Sequence, residues 1–86
     1  MKYSISYSSL QDPKSLKKIA KSELMTIKRS IEEKLTVAPE AFGKPLQFSM
    51  RGYRRLRVGD WRIIFRIDET IVRIILIAHR SKVYKE

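Results

Sequence analysis

Six arginines fall between Arg51 and Arg66, and Asp60 is the one acidic residue among them. A guanidinium is planar, permanently charged and carries a fork of donors, so a cluster of them suits bidentate contact with phosphate or carboxylate. The lysines lie elsewhere. Residues 1–43 hold eight basic residues, seven of them Lys, against five acids. Residues 44–86 hold eleven, eight of them Arg, against four acids. Lysine spread along helices is an ordinary solvated face; arginine packed into one stretch is not. The 86-residue chain as a whole has nineteen Lys and Arg against nine Asp and Glu, a net charge of +10. That balance calls for an anionic partner: nucleic acid, acidic protein or membrane surface.

To act together the arginines must be held by strands. Gly59-Asp60 separates two strand-like runs, Tyr53–Val58 and Trp61–Ile67, and is a two-residue hairpin signal. In that register Val58 faces Trp61, Arg57 faces Arg62, Leu56 faces Ile63, Arg55 faces Ile64 and Arg54 faces Phe65. Side chains alternate between faces. One face then carries Leu56, Val58, Trp61, Ile63 and Phe65, with Arg54 near its edge, and reads as core. The other carries Tyr53, Arg55, Arg57, Arg62, Ile64 and Arg66. Ile71–Ala78 is nearly continuous in apolar residues, broken by Arg73, as expected of a central strand covered on much of both faces. With Glu69-Thr70 as the turn before it, Arg73 joins Arg66 while Val72, Ile74 and Leu76 join the core.

Arg57 directly opposite Arg62 is a like-charge pair, which costs from a few tenths up to about 1 kcal/mol. A fold gains nothing from it. A polyanion lying between the two guanidiniums removes the repulsion. The bland alternative is a solvated face on which each arginine snorkels; four arginines and a tyrosine on one face of two adjacent strands favour binding.

The first half supplies the scaffold. Residues 2–8 alternate, with Tyr3, Ile5 and Tyr7 against Ser4, Ser6 and Ser8, which predicts a half-buried strand. Asp12-Pro13 is an N-cap followed by proline at the first helical position. Leu16, Ile19, Ala20, Leu24, Ile27, Ile31 and Leu35 form one stripe of helical period. Ser22 offers a second N-cap, with Glu23 in the following turn. The reading favours two helices meeting near Lys21-Ser22 over one long rod. Thr36–Pro45, with Pro39, Gly43 and Pro45, reads as a loop.

A chain of this length is one domain, residues 1–86, with a stability of about 4–13 kcal/mol. It has no cysteine and a single histidine, His79, so disulfides, iron–sulfur clusters and thiolate zinc sites drop out and a histidine-based metal site has little to stand on. No apolar run reaches the roughly 18–20 residues of a membrane span. The N-terminal alternation differs from a signal peptide, and the cytoplasm is the expected compartment. No Gly-rich phosphate loop, metal-ligand cluster or nucleophile triad stands out, and a metal-independent, cofactor-free chemistry is expected.

The string Arg55-Leu56-Arg57-Val58-Gly59-Asp60-Trp61-Arg62-Ile63-Ile64-Phe65, followed by His79-Arg80-Ser81-Lys82-Val83-Tyr84, resembles the RelE/ParE superfamily of bacterial and archaeal type II toxins. The match spans nearly the whole chain. It implies an α+β fold: an N-terminal strand, a helical hairpin, then an antiparallel sheet. It also implies a toxin held inactive by a cognate antitoxin. The RelE branch enters the ribosomal A site and cleaves mRNA, the ribose 2′-hydroxyl attacking the adjacent phosphodiester and expelling the 5′-oxygen to leave a 2′,3′-cyclic phosphate. The ParE branch shares the fold and poisons DNA gyrase.

RNA cleavage needs a base at the 2′-hydroxyl, charge stabilisation at the phosphorane and an acid at the leaving oxygen. By the resemblance, Arg62 matches the arginine that stabilises the transition-state phosphate. Arg80 matches the C-terminal arginine at the leaving group, and Tyr84 the tyrosine that stacks on the nucleotide. Arg55 and Arg57 match basic positions on the preceding strand, with Arg54, Arg66, Arg73 and Lys82 as further expected RNA contacts. One departure stands out. RelE members place lysines on that strand, one of them a candidate base, and arginine is a poor base. The chain then works chiefly by electrostatics and by orienting the RNA, or else His79 carries protons. A lone histidine at a strand end is more often a packing or hydrogen-bonding residue, and Trp61 reads as core. The rivals to a nuclease are a ParE-like gyrase poison and a non-catalytic binding module. With about three or four phosphates contacted, the log–log salt slope for single-stranded RNA binding is expected near −2 to −3; anisotropy titrations that were flat in salt would remove the arginine-face reading.

Overall fold

The stripe Leu24, Ile27, Ile31 and Leu35 lies on a 15-residue helix, α1 (Lys21–Leu35), whose Ile27, Ile31 and Leu35 are fully buried. The computed structural model describes residues 2–46 and 52–82, apart from the side chain of Lys82. Arg51, Tyr84 and that side chain, all singled out by the sequence, lie outside the described residues. Before α1 comes β1 (Ser4–Ser6) and a 3-10 helix at Pro13–Lys18. After it come α2 (Pro39–Phe42), β2 (Lys44–Pro45), β3 (Arg54–Val58), β4 (Trp61–Asp68) and β5 (Ile71–His79), then a last 3-10 turn at Arg80–Lys82. The five strands form one sheet in the order β1-β5-β4-β3-β2.

The fold is α+β, as the sequence implies, but the helical hairpin is unequal. Its first arm is a six-residue 3-10 helix, because the stretch offers only Leu16 and Ile19 for burial, three residues apart, and the chain is already extended at Ile19. Ser22 is not a cap: α1 begins at Lys21 with Ala20 at its N-cap, and Ser22 accepts instead from Thr26 Oγ1 through its carbonyl. The predicted loop at 36–45 hides two short elements, α2 and β2. Thr36 closes the other end of α1 and takes the backbone N–H of Lys2 and Tyr3 on its carbonyl, which ties β1 to the helix.

Strand pairing follows the predicted hairpin residue for residue: Arg54 with Phe65, Arg55 with Ile64, Leu56 with Ile63, Arg57 with Arg62, and Val58 with Trp61. Gly59 supplies the positive φ, +59°, that the tight turn requires. β5 is interior, antiparallel to β4 and parallel to β1. One feature departs from expectation. Arg66 pairs with Arg73 and Phe65 with Ile74, but Ile64 then pairs with Leu76, so Ile75 is an extra residue in β5. Past this bulge the faces exchange. Leu76, expected in the core, packs on the opposite face, and Ile77 takes its place in the core.

The main core lies between α1 and one face of the sheet. It joins Ile19, Ile27, Ile31 and Leu35 to Leu56, Ile63, Phe65, Val72, Ile74 and Ile77, with Tyr3, Ile5, Tyr7 and Trp61 at its margin. A smaller cluster of Leu46, Ile64 and Ile75, with Tyr53 and Leu76, sits on the other face. Gly43 is buried against the Phe65 ring, where a Cβ would overlap the ring edge. Gly43→Ala should therefore cost about 1–3 kcal/mol by overpacking, read as a lowered urea midpoint at unchanged slope; an unchanged midpoint would show that the ring moves aside freely.

Candidate nucleic-acid interface

Alternation along β3 and β4 puts Arg55, Arg57, Arg62 and Arg66 on the face away from α1, and the β4–β5 register adds Arg73 beside Arg66. Arg57 and Arg62 are opposed across the ladder, their Cβ atoms about 4.5–5.5 Å apart. Ala78 is the residue paired with Arg62 on its other side. Arg57, Arg62 and Arg66 have no hydrogen-bond or ion-pair partner among the described residues. The Arg66–Arg73 pair lies about 13 Å further along β4. There Asp68 Oδ2 accepts from Arg73 Nε at 3.2 Å, so that end is partly neutralised.

Arg55 records the field of this face. Burial, then the charges of Arg62 and Arg57, lower its pKa from the ordinary guanidinium value. Lys44, missed in the sequence, stands opposite Arg55 in the β2–β3 pairing and extends the same positive row. A two-residue strand carries no periodicity, so the one available signal was its spacing from Leu46, whose N–H continues the ladder to the Tyr53 carbonyl at 2.9 Å. Tyr53 lies on this face, packed like Leu76 against the cluster of Leu46, Ile64 and Ile75.

Three further residues named from the sequence, Arg54, Arg80 and His79, lie outside the β3–β4 arginine row. Arg54 belongs to the helix-covered face, where its Nη1 donates to the carbonyls of Gly43 at 2.8 Å and Glu40 at 3.4 Å. It pins the α2–β2 connection and is not part of the arginine face. Arg80 lies at the same sheet end as Arg57 and Arg62: its N–H donates to the Asp60 carbonyl at 2.8 Å and its Nε is 3.8 Å from Asp60 Oδ1. Both side chains are about two-thirds exposed, so the ion pair is weak. His79 pairs with Trp61, which puts it on the helix side, edge-on to the indole at 5.2 Å between ring centres. A proton carrier there is on the wrong side of the sheet from Arg62. Trp61 itself packs at the core margin and donates through Nε1 to Glu23 Oε2 at 3.2 Å. The face can bind and stabilise a phosphate dianion; its arginines cannot act as bases.

The chain belongs to the family of ParE toxins of type II toxin–antitoxin systems, within the RelE/ParE superfamily, the family's profile matching residues 5–84. Solved structures share the fold. The RelBE2 toxin–antitoxin complex of Mycobacterium tuberculosis superposes with a TM-score of 0.81 at 26% identity, covering 93% of this chain and 100% of that one. The Escherichia coli DinJ-YafQ toxin–antitoxin complex gives 0.60 at 19% identity over 99% and 100%. The Helicobacter pylori protein HP0894 gives 0.64 at 14% identity over 98% and 99%. No curated protein matches the chain in sequence.

The unpartnered Arg57–Arg62 pair carries a stability cost that a neutral residue would relieve. Arg57→Gln should stabilise the free protein by a few tenths to about 1 kcal/mol at low salt, with the gain shrinking as salt screens the repulsion. Denaturation curves at two ionic strengths check this; a loss of stability at low salt would mean the pair is not repulsive.

Proposed function

We propose that this toxin is a ribosome-dependent mRNA endonuclease that acts without a metal. The observation that carries the reading is the pair Arg57 and Arg62, opposed across two strands with no counter-charge among the described residues. A phosphodiester passing between them would receive two forks of donors aimed at its non-bridging oxygens. As the 2′-hydroxyl loses its proton to solvent water and its oxygen attacks, negative charge grows on those oxygens, fixed cations bind the phosphorane more tightly than the ground state, and the P–O5′ bond breaks. Arg62 is the central group and Arg57 its partner. Arg55 and Lys44 extend the field to the flanking backbone. Arg80, at the same sheet end, is proposed to act at the leaving 5′-oxygen, and Tyr84 to stack on the exposed base.

The partner set follows from the same surface. In the RelBE2 and DinJ-YafQ structures a toxin is held in a toxin–antitoxin complex. A cognate antitoxin for this chain would present acidic side chains to the arginine face and so compete with RNA for it. The ribosome supplies the mRNA in an extended form whose phosphates are accessible. A second reading is favoured by the family profile itself, which is that of ParE toxins: in it the chain binds and poisons DNA gyrase and cleaves nothing.

The deciding experiment combines purified ribosomes, a defined mRNA and the wild-type chain or Arg62→Ala, with 5′ ends mapped by primer extension. Ribosome-dependent cuts within codons are expected, and Arg62→Ala should lower their rate on the order of 10²–10³-fold, as removal of one transition-state donor does elsewhere. Intact mRNA with folded protein would move the reading to gyrase, tested next by DNA supercoiling.

A further inference from the structure

His79 is the one histidine of the chain. Its place opposite Trp61 removes it from the arginine face, yet its ring is engaged. Nδ1 accepts from the backbone N–H of Ser81 at 3.3 Å and lies 3.0 Å from Ser81 Oγ. An acceptor on a side chain reaching the N–H two residues ahead is the geometry by which Asn and Asp nucleate a turn. At this point β5 ends and the 3-10 turn Arg80–Lys82 begins.

The residue between the two partners is Arg80. Its own N–H is bound to the Asp60 carbonyl at 2.8 Å. The turn is anchored on its other side as well. The imidazole stands edge-on to Trp61, and Trp61 Nε1 donates to Glu23 on α1. A continuous set of contacts therefore runs from the helix, through indole and imidazole, to the backbone that carries Arg80. A 3-10 turn of three residues has little stability of its own, so its direction depends on those ties.

We infer that His79 is a positioning residue: its Nδ1 acts as a turn-forming acceptor that fixes the exit of the chain from β5 and thereby the place of Arg80 against Asp60, at the sheet end that carries the Arg57–Arg62 pair. It touches no substrate. It acts on the opposite face of the sheet through the backbone, and its part in turnover rests on the nuclease reading.

Two variants separate the acceptor from the ring. His79→Asn keeps an acceptor that reaches the Ser81 N–H but loses the aromatic edge. His79→Phe keeps the edge against Trp61 but has no acceptor. Two readouts are taken on each full-length variant: amide hydrogen exchange at Ser81 and Arg80, and cleavage in the ribosome assay. His79→Phe is expected to raise Ser81 exchange by roughly up to tenfold, the equivalent of one hydrogen bond, and to lower the cleavage rate with the unfolding midpoint kept. His79→Asn is expected to hold Ser81 protection and cleavage near wild type. Wild-type Ser81 protection in His79→Phe, or loss of it in His79→Asn, overturns the inference. So does wild-type cleavage in a His79→Phe protein whose Ser81 is unprotected. If the wild-type chain cleaves nothing, the nuclease reading fails by itself and the exchange measurement still decides whether His79 sets the turn.

Discussion

The turn at Gly59-Asp60 holds β3 and β4 in one register, and the rest of the molecule depends on that register. It sets Leu56 beside Ile63 and Val58 beside Trp61 on the side that α1 covers, and Arg57 beside Arg62 on the side it does not. A slip of one residue would send the apolar set to solvent and drive guanidiniums into the core. The apolar pattern and the turn geometry both select the same alignment, so the burial of Leu56, Ile63 and Phe65 enforces the meeting of the arginines. Hydrophobic energy on one face maintains electrostatic strain on the other.

That arrangement suits a sheet with one long helix among the described residues. Among the described residues α1 is the long helix, and it covers a single face. Among the described residues the opposite face has a small apolar cluster, of which Ile64, Ile75 and Leu46 are the buried members. A second layer of helices would have stabilised the sheet further and closed off its arginines. The open face leaves Arg57, Arg62 and Arg66 accessible to a polyanion, and among the described residues the carboxylates of Asp60 and Asp68 are engaged by Arg80 and Arg73 at the ends of the strands. Among the described residues no carboxylate is paired with Arg57, Arg62 or Arg66.

What could be read in the sequence followed how strongly physical chemistry constrains each segment. The β3–β4 hairpin was legible to the residue because a two-residue turn admits one register. The interior place of β5 followed from its apolar run, and the helical stripe of α1 from its period. The bulge at Ile75 was not legible: Ile74-Ile75-Leu76-Ile77 is apolar throughout, so no alternation marks where a residue is extra. The same uniformity misplaced Leu76 and hid the side of the sheet on which His79 falls. β2 is too short for any pattern, and with it Lys44 escaped notice. Arg54 was placed at the edge of the core face and also expected to contact RNA, since only the folded chain brings the carbonyls of Glu40 and Gly43 within its reach.

The bulge also governs how much room the arginine pair has. In an unbroken ladder Ile77 would stand beside Arg62, and a branched aliphatic side chain would fill the space in front of the guanidinium. The extra residue shifts the strand by one place, so that Ile77 turns inward and Ala78 stands beside Arg62 instead. Alanine projects a single methyl group. The irregularity in β5 thus sets the smallest side chain of the strand next to the pair without deleting any atom from the core: one inserted residue both turns Ile77 into the packing beneath the sheet and leaves alanine above it.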